Sequence, residues 1–313
     1  MARHDSSPGL RSRRLISTTR TSTLDARTST RDARRADRLL AHIEGGGRMF
    51  WAVAGAMSPR SSASRLAPAI RAGLIHGMSV TGANLEESLF RLVAHHSYKD
   101  FPDYRYLTKN DDTKILEKRM RRVTDTSIPE DEAFRAVEKI IVPMWKNLAS
   151  AASAASGTST STSSIQKPSE GAAYEGDPEA CWLLAAARAN LPIVVPGHED
   201  STFGNIFAGV RADGDCRPSI AKSGIEYMVD FYDRYRSSRR APASASSRSA
   251  AASRATSRSA WCRRSSTTSR KPVKPWAYFC QISDSTTSYG SYSGATPNEK
   301  ITWDKLTETR RCS

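Results

Sequence analysis

The 313-residue chain is predicted to be an α/β protein with a largely parallel sheet, interrupted by low-complexity segments. Helical and strand patterns alternate along its ordered stretches, which is the signature of strands joined by crossover helices. Its strand patterns are short, apolar or β-branched, and they open into polar loops, as in sheets that place ligands at the carboxyl ends of strands. No apolar run approaches the ~18 residues that a membrane span requires, and a hydrophobic fraction of 38% with 25% charged residues suits a folded core.

Leu66, Ile70 and Leu74 recur at four-residue spacing and predict a helix over 66–74. The chain from Ile75 to Thr81 predicts a strand, closed by a turn at Gly82-Ala83-Asn84. A second helix begins at Leu85, with Leu89, Leu92 and Val93 on its apolar stripe and Glu86 and Glu87 in its first turn. Carboxylates suit the positive end of a helix dipole, and at a strand end they can also serve a ligand; spacing alone leaves both readings open. Pro129 with Glu130, Asp131 and Glu132 marks a third start, and Phe134, Val137, Ile140 and Ile141 form its buried face.

Asp177 before Pro178 predicts an N-cap, and Trp182, Leu183 and Ala186 continue a helix that ends near Asn190. Pro192 to Val195 is a short β-branched run, stopped by Pro196-Gly197 just before His198, Glu199, Asp200, Ser201 and Thr202. That polar loop is a candidate site. Lys222 to Tyr235 predicts a helix with Met228, Phe231, Tyr232 and Tyr235 on one side, and Tyr278 to Ile282 predicts a strand. From Asp284 to Lys305, hydroxyl residues and glycines precede Glu299, Trp303 and Lys305. An aromatic face with a carboxylate can hold an alkylammonium, and a lysine beside them can form a Schiff base; composition alone favours a solvated loop.

Charge locates the domains. The net charge is +15, and it resides in two segments: residues 1–40 with ten Arg against four Asp, and 236–270 with nine Arg and no acid. The first is expected to lie outside the fold, disordered or mis-framed, and its lack of an apolar core excludes a secretory signal. In 236–270 twelve Ser, nine Arg and eight Ala leave nothing larger than Ala among the aliphatics, so composition predicts a disordered insert. Residues 149–170 read as a Ser/Ala/Thr-rich linker within a domain spanning 41–306, and 307–313 as a truncated C-terminus. RNA binding through the arginines is a second reading, but no aromatic stacking pattern accompanies them, so nucleic acid is not an expected partner. Five cysteines, none in a C-x-x-C pair, predict no disulfide framework and no zinc site, and with them a reducing, cytoplasmic compartment. His95-His96 lacks a third ligand at useful spacing, and Gly45-Gly46-Gly47 lacks a following Gly-Lys, so neither is a site.

The stretches Gly82-Ala83-Asn84-Leu85-Glu86-Glu87, Pro196 through Asn205 and Tyr278 through Lys305 resemble the deoxyhypusine synthase family, in its bacterial deoxyhypusine synthase-like branch, over roughly Glu44 to Leu306. The resemblance implies a Rossmann-like NAD-binding fold, a homotetramer and an aminobutyl transfer. In that reaction spermidine loses 1,3-diaminopropane, and its 4-aminobutyl group passes through an imine on an enzyme lysine to an acceptor amine, on a protein lysine or a polyamine. By motif position Lys305 is the imine-forming lysine, and Glu299, Trp303, Asn205, Ser291 and Tyr292 hold the substrate. Thr81, Gly82, Ala83, Glu87, Asp200, Asp284 and Ser285 approach NAD, and no metal is implied. Asn205 and Tyr292 stand where hypusine-forming relatives carry Asp, as does Tyr289 on the cofactor side. Two lost carboxylates weaken attraction for a polycation, which leaves homospermidine formation on a free amine as an alternative.

Residues Ala243 to Ser257 read ASASSRSAAASRATS. With suitable codons, the same DNA read one nucleotide earlier encodes Gly-Ile-Gly-Phe-Phe-Gln-Ile-Gly-Gly-Gly-Ile-Ala-Gly-Asp-Phe, similar to a Gly-rich strand and turn of the family. Pro59 to Arg65 likewise becomes Thr-Ala-Glu-Leu-Gly-Ile-Ser. Paired frameshifts, restored near Leu66 and Lys271, are therefore expected, and with them an alternative in which this chain is an inactive copy of the family.

Overall fold

The structure, a computed structural model, describes residues 36–53, 63–123, 125–154, 174–212, 214, 221–236, 243–248, 276–283 and 301. β1 (Met49–Val53) leads through α1 (Ala63–Arg71) to β2 (Gly77–Val80) and α2 (Gly82–Val93). β3 (Lys99–Asp100), α3 (Lys109–Glu117), β4 (Arg121–Val123) and β5 (Thr126–Ile128) come before the long α4 (Glu130–Ala154). The chain continues as α5 (Trp182–Arg188), β6 (Ile193–Val194), α6 (Thr202–Ala212), α7 (Gly224–Arg236), β7 (Ala243–Arg248) and β8 (Phe279–Ser283). The fold is thus α/β.

Five strands form one sheet in the order β6-β2-β1-β7-β8, and every pairing in it is parallel. The chain builds outward from β1 to β2 and β6, then returns to the other side of β1 for β7 and β8. A parallel sheet needs cover on both faces, and the strand alternation supplies it. Val53, Met78 and Val80 face a core with Leu66 and Ile70 of α1, Phe90 and Leu92 of α2, Val137 of α4 and Trp182 of α5. Phe50 and Val194 face the opposite side with Phe231 of α7, Trp276 and Phe279. Each fully buried side chain of this kind contributes roughly 1.5–3 kcal/mol. A second, antiparallel sheet, β3-β5-β4, stands apart from the parallel one.

Several boundaries differ from the sequence expectations for local reasons. The helix predicted over 66–74 stops at Arg71, because Gly73 takes a left-handed conformation (φ 71°) and the amides of Gly73 and Leu74 return to Ile70 and Ala69. Asn190 (φ 47°) ends α5 in the same way. Cys181, not Asp177, is the residue before α5; Asp177 Oδ1 instead accepts the Glu179 amide in the turn ahead of it. Gly82-Ala83-Asn84 is not a turn but the first turn of α2, started by Thr81, whose hydroxyl accepts the Asn84 amide at 3.3 Å. Residues 149–154, read as the beginning of a linker, continue α4. Residues 36–40, assigned by composition to a disordered arm, are helical, and Leu40 is buried. Ala243–Arg248, inside the segment expected to be an insert without structure, forms a strand between β1 and β8.

The edge of β1 is held partly by an imidazole. His76 Nδ1 accepts the Met49 amide at 3.2 Å, which requires the neutral ring. Burial, then the charges of Arg48 and His42, hold the His76 pKa below its ordinary 6.5. The unfolded chain therefore binds the proton more readily than the folded one, so this contribution is complete above pH 6.5 and is lost as the pH falls through the lowered folded value. Thermal unfolding measured between pH 7.5 and 5 is expected to show a falling Tm, and His76→Leu to flatten part of that slope while lowering Tm at pH 7.5.

Candidate functional site

The carboxyl ends of β2 and β6 are neighbours in the sheet, and each runs directly into a helix. After β2, Thr81 caps α2. After β6, Gly197 turns the chain in a left-handed conformation (φ 69°), the single 3-10 turn His198–Asp200 follows, and Ser201 leads into α6. Ser201 is buried; its hydroxyl donates to the His198 carbonyl at 2.6 Å and accepts the Gly204 amide at 3.1 Å, capping α6. Two helix N-termini thus converge beside two strand ends, an arrangement whose unpaired amides favour anionic or strongly polar ligands.

Two contacts lock the turns together. A Cβ on Gly82 would lie 2.6 Å from Ser201 Cβ, so the backbone of α2 passes where only glycine fits. One turn further, Glu86 Oε1 accepts the Thr202 amide at 2.7 Å, and Glu86 is buried. Spacing alone leaves Glu86 open between a helix-start role and a ligand, and the family resemblance assigns a cofactor role to Glu87 only. Its sequence signal is the spacing Gly82–Glu86, four residues on one helical face, which puts Glu86 rather than Glu87 on the side of α2 that meets α6.

Glu87 lies in a different network. Its carboxylate accepts from Arg91 Nε at 3.1 Å and from the Tyr98 hydroxyl at 3.3 Å, and the Arg91 guanidinium stacks 4.6 Å from the Tyr98 ring centroid. Burial raises the Glu87 pKa, while the Arg91 and Tyr98 hydrogen bonds oppose that rise. Burial and the adjacent Glu87 carboxylate push the Tyr98 phenol up, so it remains a donor.

Of the other expected site residues, Thr81 and Gly82 are buried at the α2 start, while Ala83, Asp200 and Asn205 are exposed around it. Asn205 lines a groove of about 860 Å³ between α4 and α6, with Thr202 and Ile206 beside it and Phe134, Arg135, Glu138 and Lys139 across from it. Thr81, Gly82 and Asp200 are brought to the strand ends, with Asn205 one turn along α6; Asp284, Ser285, Ser291, Tyr292, Glu299, Trp303 and Lys305 lie outside the described residues. Among the described residues no group of three His, Cys, Asp or Glu is placed to hold a metal ion, and no helix is long and apolar enough to cross a membrane.

A family model described as "DS: Deoxyhypusine synthase" matches residues 15–313. No curated protein matches the chain.

The Gly82 contact is directly testable. Gly82→Ala forces Ser201 and the α6 start to shift, and overpacking costs about 1–3 kcal/mol, more than the backbone-entropy gain of removing a glycine. Urea unfolding is expected to give a lower midpoint for Gly82→Ala, whereas Gly209→Ala, where no atom lies within 4 Å of the added Cβ, leaves the midpoint unchanged or raises it.

Proposed function

The chain belongs to the deoxyhypusine synthase family, a family of aminobutyl transferases, and from that premise we propose that it moves the 4-aminobutyl group of spermidine to an acceptor amine in an NAD-dependent reaction. The observation that carries this reading is a match covering residues 15–313, a span that includes both strand-end turns and the 284–305 segment. The geometry is in keeping with it: the sheet is parallel, its order reverses at β1, and α2 and α6 start at strand ends, as in Rossmann-like dinucleotide sites.

The residues at the mouth fit part of a dinucleotide. Thr81, Gly82 and Ala83 begin α2, where amides and the helix dipole suit a pyrophosphate, and the exposed Asp200 suits ribose hydroxyls. Bound NAD would supply a reversible hydride store for the aminobutyl carbon beside the secondary amine. Lys305, as the free base, attacks that carbon once it is an imine, expels 1,3-diaminopropane and keeps the aminobutyl group as its own imine. The acceptor amine then displaces Lys305 as the free amine, and the hydride that NAD would have stored would return to the resulting imine carbon to give the 4-aminobutylated product. Glu299 and Trp303 hold the alkylammonium end by charge and by the ring face, and Ser291, Tyr292 and Asn205 are the further substrate-binding residues of this reading. Site sharing across a homotetramer and a cytoplasmic location complete the proposal.

A second reading, homospermidine formation on a free amine, is favoured by one position: the exposed Asn205 in the α4–α6 groove is neutral. Product analysis separates the two.

Frame disruption in the coding DNA is the third element. β7 is a central strand whose register sets Ser244 between Phe50 and Phe279, and Ala245 between Trp51 and Cys280. Reading one nucleotide earlier substitutes Ile at the first position and Gly at the second, which matches the apolar face that holds Phe50, Phe231 and Phe279 and leaves a small residue beside Trp51.

Incubation with NAD and spermidine is expected to release 1,3-diaminopropane, and borohydride to trap a 4-aminobutyl adduct on Lys305; Lys305→Ala loses both. Absence of release from a folded sample of the frame-restored chain counts against the transferase. Restoring the frame over codons 243–270 is expected to raise the Tm by several degrees and to strengthen NAD binding in calorimetry, whereas an unchanged Tm would refute the frame assignment.

A further inference from the structure

We propose that Glu86 is a positioning residue, whose carboxylate holds the α6 start, and with it Asp200 and Asn205, against the start of α2. Its kinetic consequence rests on the transferase reading; its structural consequence does not.

A buried carboxylate ordinarily needs a cation or several donors to offset its lost hydration. Glu86 is buried, yet no ion pair to it is found among the described residues. What meets it is the Thr202 amide at 2.7 Å. Thr202 is the first residue of α6, so its N–H is one of those that no intrahelical carbonyl can satisfy. The charge therefore faces the positive end of the α6 dipole, and a hydrogen bond to a charged group is among the stronger kinds.

Three neighbouring constraints give this bond its leverage. Ser201, immediately before Thr202, sits against Gly82, where a Cβ would come within 2.6 Å. The Ser201 hydroxyl ties the same residue to His198 and Gly204. Asp200 precedes this junction by one residue and Asn205 follows it by one helical turn, so a shift of the Thr202 amide moves both. Glu86 fixes their separation from α2 through the Thr202 amide.

Proline at position 202 removes the amide donor, and with it the threonine side chain, without breaking the start of the helix. The first helical position tolerates proline, and Ser201, with φ −90° and ψ 164°, already has the extended backbone that a residue before proline requires. The test is hydrogen–deuterium exchange across residues 203–208 in the full chain, for wild type, Glu86→Gln, Glu86→Ala, Thr202→Pro and the double variant Glu86→Ala/Thr202→Pro. Exchange is expected to be at least about tenfold faster in Glu86→Ala and in Thr202→Pro, with no further gain in the double variant, while Glu86→Gln, which keeps an acceptor oxygen, stays within about threefold of wild type. Wild-type exchange in either single variant, fully additive losses in the double variant, or Glu86→Gln as fast as Glu86→Ala overturns the proposal; if Glu86→Ala does not fold, Thr202→Pro and Glu86→Gln decide it. In the aminobutyl-transfer assay Thr202→Pro is expected to raise the KM for spermidine several-fold with kcat nearly kept, and an equal loss in both would assign Glu86 a purely structural role. A folded, frame-restored chain that releases no 1,3-diaminopropane counts against the transferase reading alone, because exchange is read without turnover.

Discussion

Parallel pairing on both sides of β1 is the constraint on which the rest of the fold depends. β1 pairs with β2 along one edge and with β7 along the other, and its side chains alternate between two separate cores. Because the strands run the same way, all their carboxyl ends open at one rim, and the helices must cross over the faces to return. The reversal of order at β1 then divides the rim into two halves. One half is formed by β2 and β6 with the starts of α2 and α6; the other belongs to β7 and β8. Helix N-termini meet at the first half because the topology leaves them nowhere else to go.

β7 is the weakest member of this arrangement on chemical grounds. Its sequence, Ala-Ser-Ala-Ser-Ser-Arg, contains no side chain larger than Ala among its apolar residues. It nevertheless pairs over five residues with β1 and over five with β8, so the sheet is continuous across it. The β6-β2-β1 half, by contrast, packs Met78, Val80, Trp182 and Phe90 into one core.

The legibility of the sequence follows the same division. Apolar spacing revealed α1, α2, α4, α5 and α7, because each buries a stripe whose period survives in Leu66/Ile70, Leu85/Leu89, Phe134/Val137 and Phe231. The start of α2 was misread, since Gly-Ala-Asn carries turn propensity while the cap that overrides it, Thr81, precedes the glycine. Residues 149–154 were misread because Ala and Ser suit a helix extension as well as a linker. β3, β4 and β5, of two or three residues each, are too short to show alternation. β7 was invisible because its strand state comes from its neighbours rather than its composition. At the strand ends, the positions of Thr81, Gly82 and Asp200 follow from the order of the elements, whereas Glu86 and Glu87 are alike in sequence and only the facing of α2 toward α6 tells them apart.

That distinction bears on charge. Two adjacent carboxylates at a strand end suggest an acidic mouth suited to a polycation. Glu86, however, is committed to the Thr202 amide, and Glu87 to Arg91 and Tyr98. Across the groove, Glu138 pairs with Arg135. A neutral Asn205 adds nothing, so Glu199 and Asp200 are the exposed carboxylates that the β6–α6 turn brings to the strand ends. Negative charge at the strand ends therefore rests on that one turn, beside the starts of two helices, while the adjacent pair on α2 is committed to contacts within the fold.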